Sequence, residues 1–203
     1  MPATRDRWRN RLPHWEVAGQ PHFITIRCAG SLPSQARDKI AEIHASLRTV
    51  DPNSPSFAVL QRQYFLTCEK FIDYASGFQP FVNKSVCETV LVAWAEMNER
   101  YGWKVPHYVI MPNHLHFIMQ FSAKPTETLR KALQHFKGRT ARSANLILGR
   151  RGAFWQTEWF DRWLRDEHEI ARVIEYIRNN PLKAGLVPNG SVYPWVCQYV
   201  SSN

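Results

Sequence analysis

From His107 to Met119 the sequence reads HYVIMPNHLHFIM, two apolar runs joined by Pro112-Asn113. This pattern predicts two antiparallel β-strands connected by a tight turn. Side chains alternate between the faces of a strand, so His114 and His116 are expected side by side on one face. Two neighbouring imidazoles on a rigid sheet supply half of a divalent-metal site. Two hydrogen-bonded, partly buried histidines are the alternative interpretation, and the motif alone does not choose between them.

The composition is that of a folded protein. The 203 residues are 44% hydrophobic and 13% aromatic, which predicts a single domain, 1–203, and excludes a disordered chain. No apolar run is long enough to span a bilayer, and the Arg-rich N-terminal segment lacks an apolar signal segment. We therefore expect a cytoplasmic, nucleoid-associated protein without a membrane partner. The four cysteines lack the Cys-x-x-Cys spacing of a zinc ribbon and are expected to be reduced: Cys28, Cys68, Cys87 and Cys197.

The positive charge is concentrated in two blocks. The net charge is +9 and the pI is about 9.7. Residues 1–13 carry four arginines against one acid, and residues 124–165 carry ten lysines and arginines against three acids. Basic blocks on an otherwise neutral domain indicate a polyanionic partner, with nucleic acid as the first candidate. A merely solubilising surface is the alternative.

Hydrophobic patterns predict an α+β domain. Strands are expected at 22–28, Trp103–Met111 and His114–Phe121, and helices at 34–50, 86–101, from Pro125-Thr126 onward, and at 166–180, where Pro181 ends the last helix. Strands near both ends of a helix-rich middle indicate an antiparallel sheet with helices packed on it. Residues 1–13 are interpreted as a basic N-terminal arm, 51–82 as a variable insertion and 182–203 as a C-terminal tail.

The last predicted helix carries a second polar pair. Its apolar stripe is formed by Ile170, Val173, Ile174 and Ile177. Tyr176 and Asn180 are one turn apart, so their side chains stack on one flank of that stripe. A surface tyrosine followed by an asparagine at the end of the helix is the alternative interpretation for these two residues alone.

Together, the two polar pairs and the basic blocks contain the parts of a metal-assisted DNA strand-transfer site. His114 and His116 would supply nitrogen ligands and the Asn180 amide an oxygen ligand, a mixed set that suits Mg²⁺ or Mn²⁺. The metal would polarise a phosphodiester. Tyr176 would attack it, release a 3′-OH and form a 5′-phosphotyrosine link.

These residues lie in motifs that resemble those of the REP-associated tyrosine transposases, which are relatives of the insertion-sequence single-tyrosine transposases within the HUH endonucleases. The matching blocks run nearly end to end: RLPHWE at 11–16, IMPNHLH at 110–116, GAFWQ at 152–156, DRWLRD at 161–166, and YIRNNP at 176–181 with AGLV at 184–187. The resemblance implies a ferredoxin-like (RRM-like) palm with the histidine pair on a central strand. It implies Tyr176 as nucleophile and His114, His116 and Asn180 as metal ligands. The implied substrate is single-stranded DNA folded into REP-type palindromic hairpins.

The basic blocks predict how such DNA is held. Phosphate contacts are expected from the arm, from the helix that follows residue 125 and from the adjoining loop: Arg7, Arg9, Arg11, Arg130, Lys137, Arg139, Arg150 and Arg151. Trp155 is a candidate for stacking on an unpaired base, with core packing as an equally open alternative. We expect a monomer rather than a homodimer.

Two other functions are weighed against this one. A histidine-triad nucleotide hydrolase needs a third histidine at position 118, where the chain has Ile118. A catalytically silent regulator that binds DNA hairpins would use the same basic surface. It ranks second because the chain retains every residue that the chemistry requires.

Overall fold

The computed structural model describes residues 4–9, 13–51, 54–72, 77–121 and 126–197. The elements in these residues are β1 (Thr4–Arg9), β2 (Pro13–Val17), β3 (His22–Arg27), α1 (Ser34–Thr49), α2 (Pro55–Ile72), α3 (Lys84–Tyr101), β4 (Trp103–Met111), β5 (His114–Phe121), α4 (Leu129–Ile147), β6 (Phe160–Trp163) and α5 (Glu167–Lys183). A short 3₁₀ helix, Pro80–Val82, precedes α3.

The central sheet has the strand order β4-β5-β3-β6, and each neighbouring pair is antiparallel. Within this sheet the chain runs β3, α3, β4, β5, α4, β6. This is the ferredoxin-like arrangement, and the predicted α+β fold with the histidine pair on a central strand is confirmed. The two-residue turn at Pro112-Asn113 fixes the register of β4 and β5 by pairing Met111 with His114.

One face of the sheet forms the main core. Every second side chain of β3 and β5 points to α3 and α4. On β3 these side chains are Ile24 and Ile26. Trp94 of α3 stacks in parallel on Phe136 of α4 with 5.8 Å between ring centres. Because this face is sealed by two helices, the opposite face is the one left to build a site.

The opposite face is covered by α5, with Ile177 buried against Phe23 and Val109. The prediction that Pro181 ends this helix is wrong, because α5 continues to Lys183 and Pro181 lies inside its last turn. A proline there forfeits only one helical hydrogen bond, and the Pro181 carbonyl accepts from Leu186 N at 2.9 Å. Lys183 therefore belongs to the same helix as Tyr176 and Asn180.

The predicted basic arm is, in its described part, a strand. β1 pairs antiparallel with β2 in a separate two-stranded sheet. This small sheet is anchored where Glu16 Oε2 accepts a hydrogen bond from Leu129 N, the first residue of α4, at 2.7 Å. Sequence reasoning missed the strand because its side chains are mostly polar and it is paired through its backbone. Residues 1–3 and 10–12 lie outside the described part.

The segment interpreted as a variable insertion contains α2, which packs against α1 around a core of its own. Phe57, Tyr64 and Ile72 of α2 are buried, as is Leu47 of α1. The end of α2 reaches the sheet, since the Ile72 carbonyl accepts from Asn113 Nδ2 at 2.9 Å. This helical pair is therefore attached to the turn that precedes the histidine strand β5.

Two smaller boundary predictions also shift. α4 begins at Leu129 with Thr128 as its N-cap, a few residues later than the predicted start at Pro125-Thr126. The described part of the predicted tail is not detached, because its backbone bonds to β4: Ile110 N donates to Trp195 O at 2.9 Å and Cys197 N to Tyr108 O at 3.0 Å.

Candidate active site

The two histidines meet on the face of β5 opposite the main core. Both side chains are fully buried, and His114 Nε2 lies 3.0 Å from His116 Nε2. Their neighbours on β3 are Arg27, paired with His114, and Thr25, paired with His116. The two-residue spacing in a strand is what brings both rings to one place.

Each imidazole is held by its other ring nitrogen. His114 Nδ1 lies 2.7 Å from Asn113 Oδ1, and Asn113 is itself fixed by its bond to the end of α2. Because the Asn113 amide nitrogen donates elsewhere, its oxygen accepts from His114 Nδ1–H. His116 Nδ1 bonds Thr25 Oγ1 at 2.8 Å. These contacts fix the ring orientations and leave Nε2 of His114 as a lone-pair donor.

Burial keeps both rings neutral. Desolvation, with His116 beside it, lowers the pKa of His114 well below its ordinary value. Desolvation together with the Lys183 charge lowers the pKa of His116 to about 3. Neutral imidazole is the form that ligates a metal.

Tyr176 of α5 faces the histidines. Its hydroxyl lies 3.3 Å from His116 Nε2 and donates a hydrogen bond to Glu69 Oε2. Its ring stands edge-on to Phe23, with 5.9 Å between centres. The helical flank that carries Tyr176 is therefore turned to the histidine face of the sheet.

Asn180 lies one turn beyond Tyr176 on α5. It is 1% exposed, and neither its Oδ1 nor its Nδ2 has a hydrogen-bond partner among the described residues. A buried amide is normally paired, so this one is poised for a ligand. Among the described residues no group of three or more His, Cys, Asp and Glu side chains could hold a metal ion. The role of Asn180 as a third metal ligand beside the two histidines stays a prediction.

Two further charged residues belong to the cluster and were missed by sequence reasoning. Glu69 of α2 lies 3.4 Å from His116 Nε2, and burial raises its pKa to about 7. Lys183 Nζ lies 5.6 Å from the centre of the Tyr176 ring. Glu69 follows the buried Cys68 in a helix of ordinary amphipathic pattern. The neighbouring sequence therefore does not distinguish it from a surface carboxylate. Lys183 falls in the predicted tail because Pro181 was expected to end the helix.

Lys137 and Arg139, predicted to contact DNA, are engaged within the protein. Lys137 Nζ donates to the carbonyl oxygens of Gln156 and Thr157, each at 2.8 Å. Burial lowers the pKa of Lys137 to about 8. Arg139 forms a two-pronged ion pair with Glu96 at 3.1 and 3.2 Å. Both side chains thus bind other parts of the protein, and their contact with DNA stays a prediction.

Trp155 is a core residue, which decides between its two interpretations. It is 7% exposed, and its indole N–H donates to Thr140 Oγ1 at 2.9 Å. Phe81, Phe154 and Phe136 surround its ring. The ring faces are therefore covered, and stacking of a DNA base on Trp155 is corrected to core packing.

The remaining predicted DNA contacts differ in exposure. Arg130 and Arg151 are exposed. Arg150 is partly covered: its guanidinium lies 4.0 Å from the centre of the Phe78 ring and donates to Ala153 O at 3.3 Å. The side chains of Arg7 and Arg9 and the whole of Arg11 lie outside the described part of the chain.

Comparison with known proteins places the chain in a transposase family. Residues 79–180 match the family described as "Transposase IS200 like", which is 102 of the 203 residues. The chain belongs to this family. The matched segment takes in His114, His116, Tyr176 and Asn180 and leaves out Glu69 and Lys183.

The similar proteins include a relative from Haemophilus influenzae and a solved structure. A Haemophilus influenzae protein named as a REP-associated tyrosine transposase is 24% identical over 117 residues, 51% of this chain and 63% of that protein. The chain thus matches less than two thirds of that relative. The structure of a REP-associated tyrosine transposase bound to a REP hairpin covers 90% of this chain and 79% of its own, with a TM-score of 0.53 and 15% identity. That likeness shows the fold. None of the described helices is long and apolar enough to cross a membrane.

Proposed function

We propose that this protein cleaves and rejoins single-stranded DNA through a covalent link to Tyr176. The observation that carries the proposal is the position of the Tyr176 hydroxyl, 3.3 Å from His116 Nε2, which in turn lies 3.0 Å from His114 Nε2. A nucleophile beside two fixed, neutral imidazoles is the arrangement that metal-assisted phosphoryl transfer needs.

The side chains present fit Mg²⁺ or Mn²⁺. His114 and His116 offer imidazole nitrogens, and the unpartnered Asn180 amide offers an oxygen. The two Nε2 atoms lie 3.0 Å apart, so both could bind one ion. When bound, such an ion would polarise the scissile phosphodiester and orient its phosphate.

The proposed reaction accounts for each bond and each proton. The Tyr176 oxygen attacks phosphorus and forms an O–P bond, while the bond from phosphorus to the 3′ oxygen of the preceding nucleotide breaks. The phenol proton leaves along the hydrogen bond that already joins Tyr176 to Glu69. The departing 3′ oxygen takes a proton from solvent. The 5′-phosphotyrosine keeps the energy of the broken bond, so the reverse attack by a 3′-OH rejoins a strand without ATP.

The substrate that we propose is a DNA hairpin with an unpaired foot beside its stem. Two observations support it: the family of the chain, and the two relatives whose names refer to REP elements. The exposed Arg130 and Arg151 give the described surface sites for phosphate contacts. A hairpin binder without chemistry would use the same surface but would not need a tyrosine hydroxyl beside a histidine pair.

The test uses labelled single-stranded hairpins from the genome that encodes the protein, incubated with Mg²⁺ or Mn²⁺. We expect a 5′-labelled product and a protein–DNA adduct that survives denaturing electrophoresis. Tyr176→Phe should abolish both and leave hairpin affinity within a few-fold, because only the attacking oxygen is removed. Tyr101→Phe, on the partly exposed end of α3, is the matched control. Hairpin binding without any cleavage by the wild-type protein would support the silent regulator instead, and nicking by Tyr176→Phe would point to water as nucleophile.

A further inference from the structure

The continuation of α5 through Pro181 brings a lysine onto the flank that carries the proposed nucleophile. Because α5 ends at Lys183, this lysine keeps helical geometry relative to Tyr176 and Asn180. At about 100° per residue, Asn180 lies about 40° to one side of Tyr176 around the helix axis, and Lys183 about 20° to the other. The three side chains therefore form one row on α5.

The Lys183 side chain runs back along the helix toward Tyr176. Its Nζ lies 5.6 Å from the centre of the Tyr176 ring, although the two residues are seven positions apart. Helical side chains lean toward the N-terminus of their helix, and the flexible four-carbon stem of a lysine extends this reach. The ammonium group is therefore beside the tyrosine.

The charge of Lys183 acts on both groups that contact the Tyr176 hydroxyl. Burial raises the pKa of Glu69, and His114 and Lys183 oppose that rise. Desolvation lowers the pKa of His116, and the Lys183 charge lowers it further. The hydroxyl bonds Glu69 and lies 3.3 Å from His116 Nε2. The atom that would attack phosphorus is therefore in the field of this cation.

Lys183 supplies a positive charge that the other members of the Tyr–His cluster lack. Glu69 is an acid, the Asn180 amide is neutral, and burial keeps the two imidazoles neutral. Lys183 is exposed, and the ion pairs among the described residues do not include it. Its ammonium group is therefore open to an anion that enters the site.

We propose that Lys183 binds a non-bridging oxygen of the phosphodiester that Tyr176 attacks. The inference rests on the proposed function, because it assigns a further residue to the same reaction. The lysine keeps its proton and forms no covalent bond. Its charge complements the negative charge that grows on the phosphoryl oxygens as the tyrosine oxygen approaches phosphorus.

Two structural roles must be separated from phosphate binding. A cation in the last turn of a helix interacts favourably with the helix dipole. An ammonium group beside an aromatic ring also packs on that ring. Neither role depends on the charge of the DNA, so the test varies that charge at single linkages.

The experiment measures hairpin affinity in the presence of Mg²⁺, with Tyr176→Phe in every protein so that no cleavage intervenes. Phenylalanine keeps the ring on which Lys183 packs. Each hairpin carries one methylphosphonate, which is a neutral linkage, at a different position of its unpaired foot. Lys183→Gln should weaken binding of the all-phosphate hairpin by about fivefold. At one linkage the methylphosphonate should remove this difference, because the charge that Lys183 contacts is then absent.

Two variants separate the charge of this residue from its structural roles. Lys183→Arg keeps the cation and should retain most of the affinity and of the dependence on that linkage. Arg178→Gln removes the same charge from an exposed position of α5, about 160° from Tyr176 around the helix. It should leave the effect of the methylphosphonate at that linkage unchanged.

A single-turnover time course with Tyr176 in place locates the bond that is attacked. The linkage at which the adduct forms should be the one at which the methylphosphonate removes the effect of Lys183→Gln. At saturating protein, Lys183→Gln should slow adduct formation by at least about tenfold.

The outcomes separate this inference from the proposed function. Adduct formation by Lys183→Gln at the wild-type rate would overturn the role of the lysine, as would a sensitive linkage that differs from the attacked one, or no sensitive linkage at all. An equal loss in Lys183→Arg would mean packing on the Tyr176 ring and would overturn it too. If one linkage responds as expected while the protein with Tyr176 forms no adduct, Lys183 is a phosphate-binding residue and the proposed chemistry fails.

Discussion

At the scale of single residues, the hydrogen bond between Tyr176 and Glu69 ties the predicted nucleophile to an acid that no motif contains. Replacing Glu69 with Ala should slow adduct formation by about 10²-fold, because the phenol loses the group that holds it and accepts its proton. Hairpin affinity should change little. Glu69→Gln keeps an oxygen that accepts the hydrogen bond from Tyr176, so its rate of adduct formation should lie between those of wild type and Glu69→Ala.

The measurement is a single-turnover time course of the adduct at saturating protein. Glu88→Ala, at an exposed position of α3, serves as the control. Adduct formation by Glu69→Ala at the wild-type rate would exclude a role for this contact.

The proposed metal ligands give a second residue-scale prediction. His114→Ala or His116→Ala should lose both Mn²⁺ binding and cleavage, since each removes half of the nitrogen donors. Asn180→Ala should be weaker but partly rescued by excess Mn²⁺, because one neutral ligand is missing from an otherwise intact site. Calorimetric titration with Mn²⁺ measures the loss of metal binding in the histidine variants. Cleavage measured over a range of Mn²⁺ concentrations shows the rescue of Asn180→Ala. Full activity of all three variants in the presence of a chelator would refute the assignment.

The residues that sequence predicted well are those whose placement follows from local periodicity. His114 and His116 share a face because a strand has a period of two, and Tyr176 and Asn180 share a flank because they are one helical turn apart. Glu69 could not be found this way. Its place depends on how α2 docks on the sheet, which no local pattern encodes.

At the scale of secondary-structure elements, a buried cluster joins β2 to the edge strand β6. His14 of β2 bonds Asp161 of β6, and its Nε2 lies 3.0 Å from Glu158 Oε1. Burial alone would lower the pKa of His14, but the two carboxylates outweigh it and raise the pKa to about 9. Lys137 acts on Glu158 from α4, and His22 of β3 also faces Asp161.

This cluster makes stability depend on pH. The pKa of His14 is higher in the folded than in the unfolded protein, so its contribution is fully present below pH 6.5 and is lost as the pH rises through about 9. The shift corresponds to about 3 kcal/mol. Denaturant unfolding at a series of pH values should therefore show wild-type stability falling over this window relative to His14→Gln.

His14→Gln should also be the less stable protein at pH 6, by a few kcal/mol, because it leaves buried carboxylates without their cation. His135→Gln, on α4, is the matched control. If the free energy of unfolding changed with pH in the same way in wild type and in His14→Gln, His14 would not be the positively charged group of this cluster.

The elements also explain why the sequence does not reveal the contacts that Lys137 makes within the protein. Lys137 belongs to a block of ten cations, which predicts a phosphate contact. In the structure it binds the carbonyl oxygens of Gln156 and Thr157, 19 and 20 residues further along the chain. The long stem of a lysine can be buried while its charge is satisfied by backbone oxygens. Helical period shows which side of α4 is polar, but not which segment will cover that side.

At the scale of the whole molecule, the net charge of +9 should make DNA binding strongly dependent on salt. Replacing the exposed Arg130 and Arg151 with Gln should lower the slope of log K against log salt by about one for each phosphate that is no longer neutralised. Footed hairpins titrated at several salt concentrations give the slope. Glu96→Gln combined with Arg139→Gln, which removes a partly exposed ion pair and leaves the net charge unchanged, is the control. An unchanged slope in the Arg130→Gln/Arg151→Gln variant would place the DNA elsewhere.

The overall architecture was predictable because the order of strands and amphipathic helices already specifies an antiparallel sheet covered by helices. The attachment of the small β1–β2 sheet was not predictable. It depends on the contact of Glu16 with the start of α4, between residues 113 positions apart. The place of the segment 51–82 likewise depends on the contact of α2 with Asn113, in the turn before β5.

The segment Trp195–Cys197 bonds along the outer side of β4 through Ile110 and Tyr108. An exposed strand edge is the usual place where a second sheet adds itself to the first. Here the chain has capped that edge with its own backbone. A second copy that joined its sheet at β4 would first have to peel this segment away and break its bonds. Dimerisation through the edge of β4 would therefore cost the free energy of these backbone hydrogen bonds. A dimer that forms through another surface would keep them.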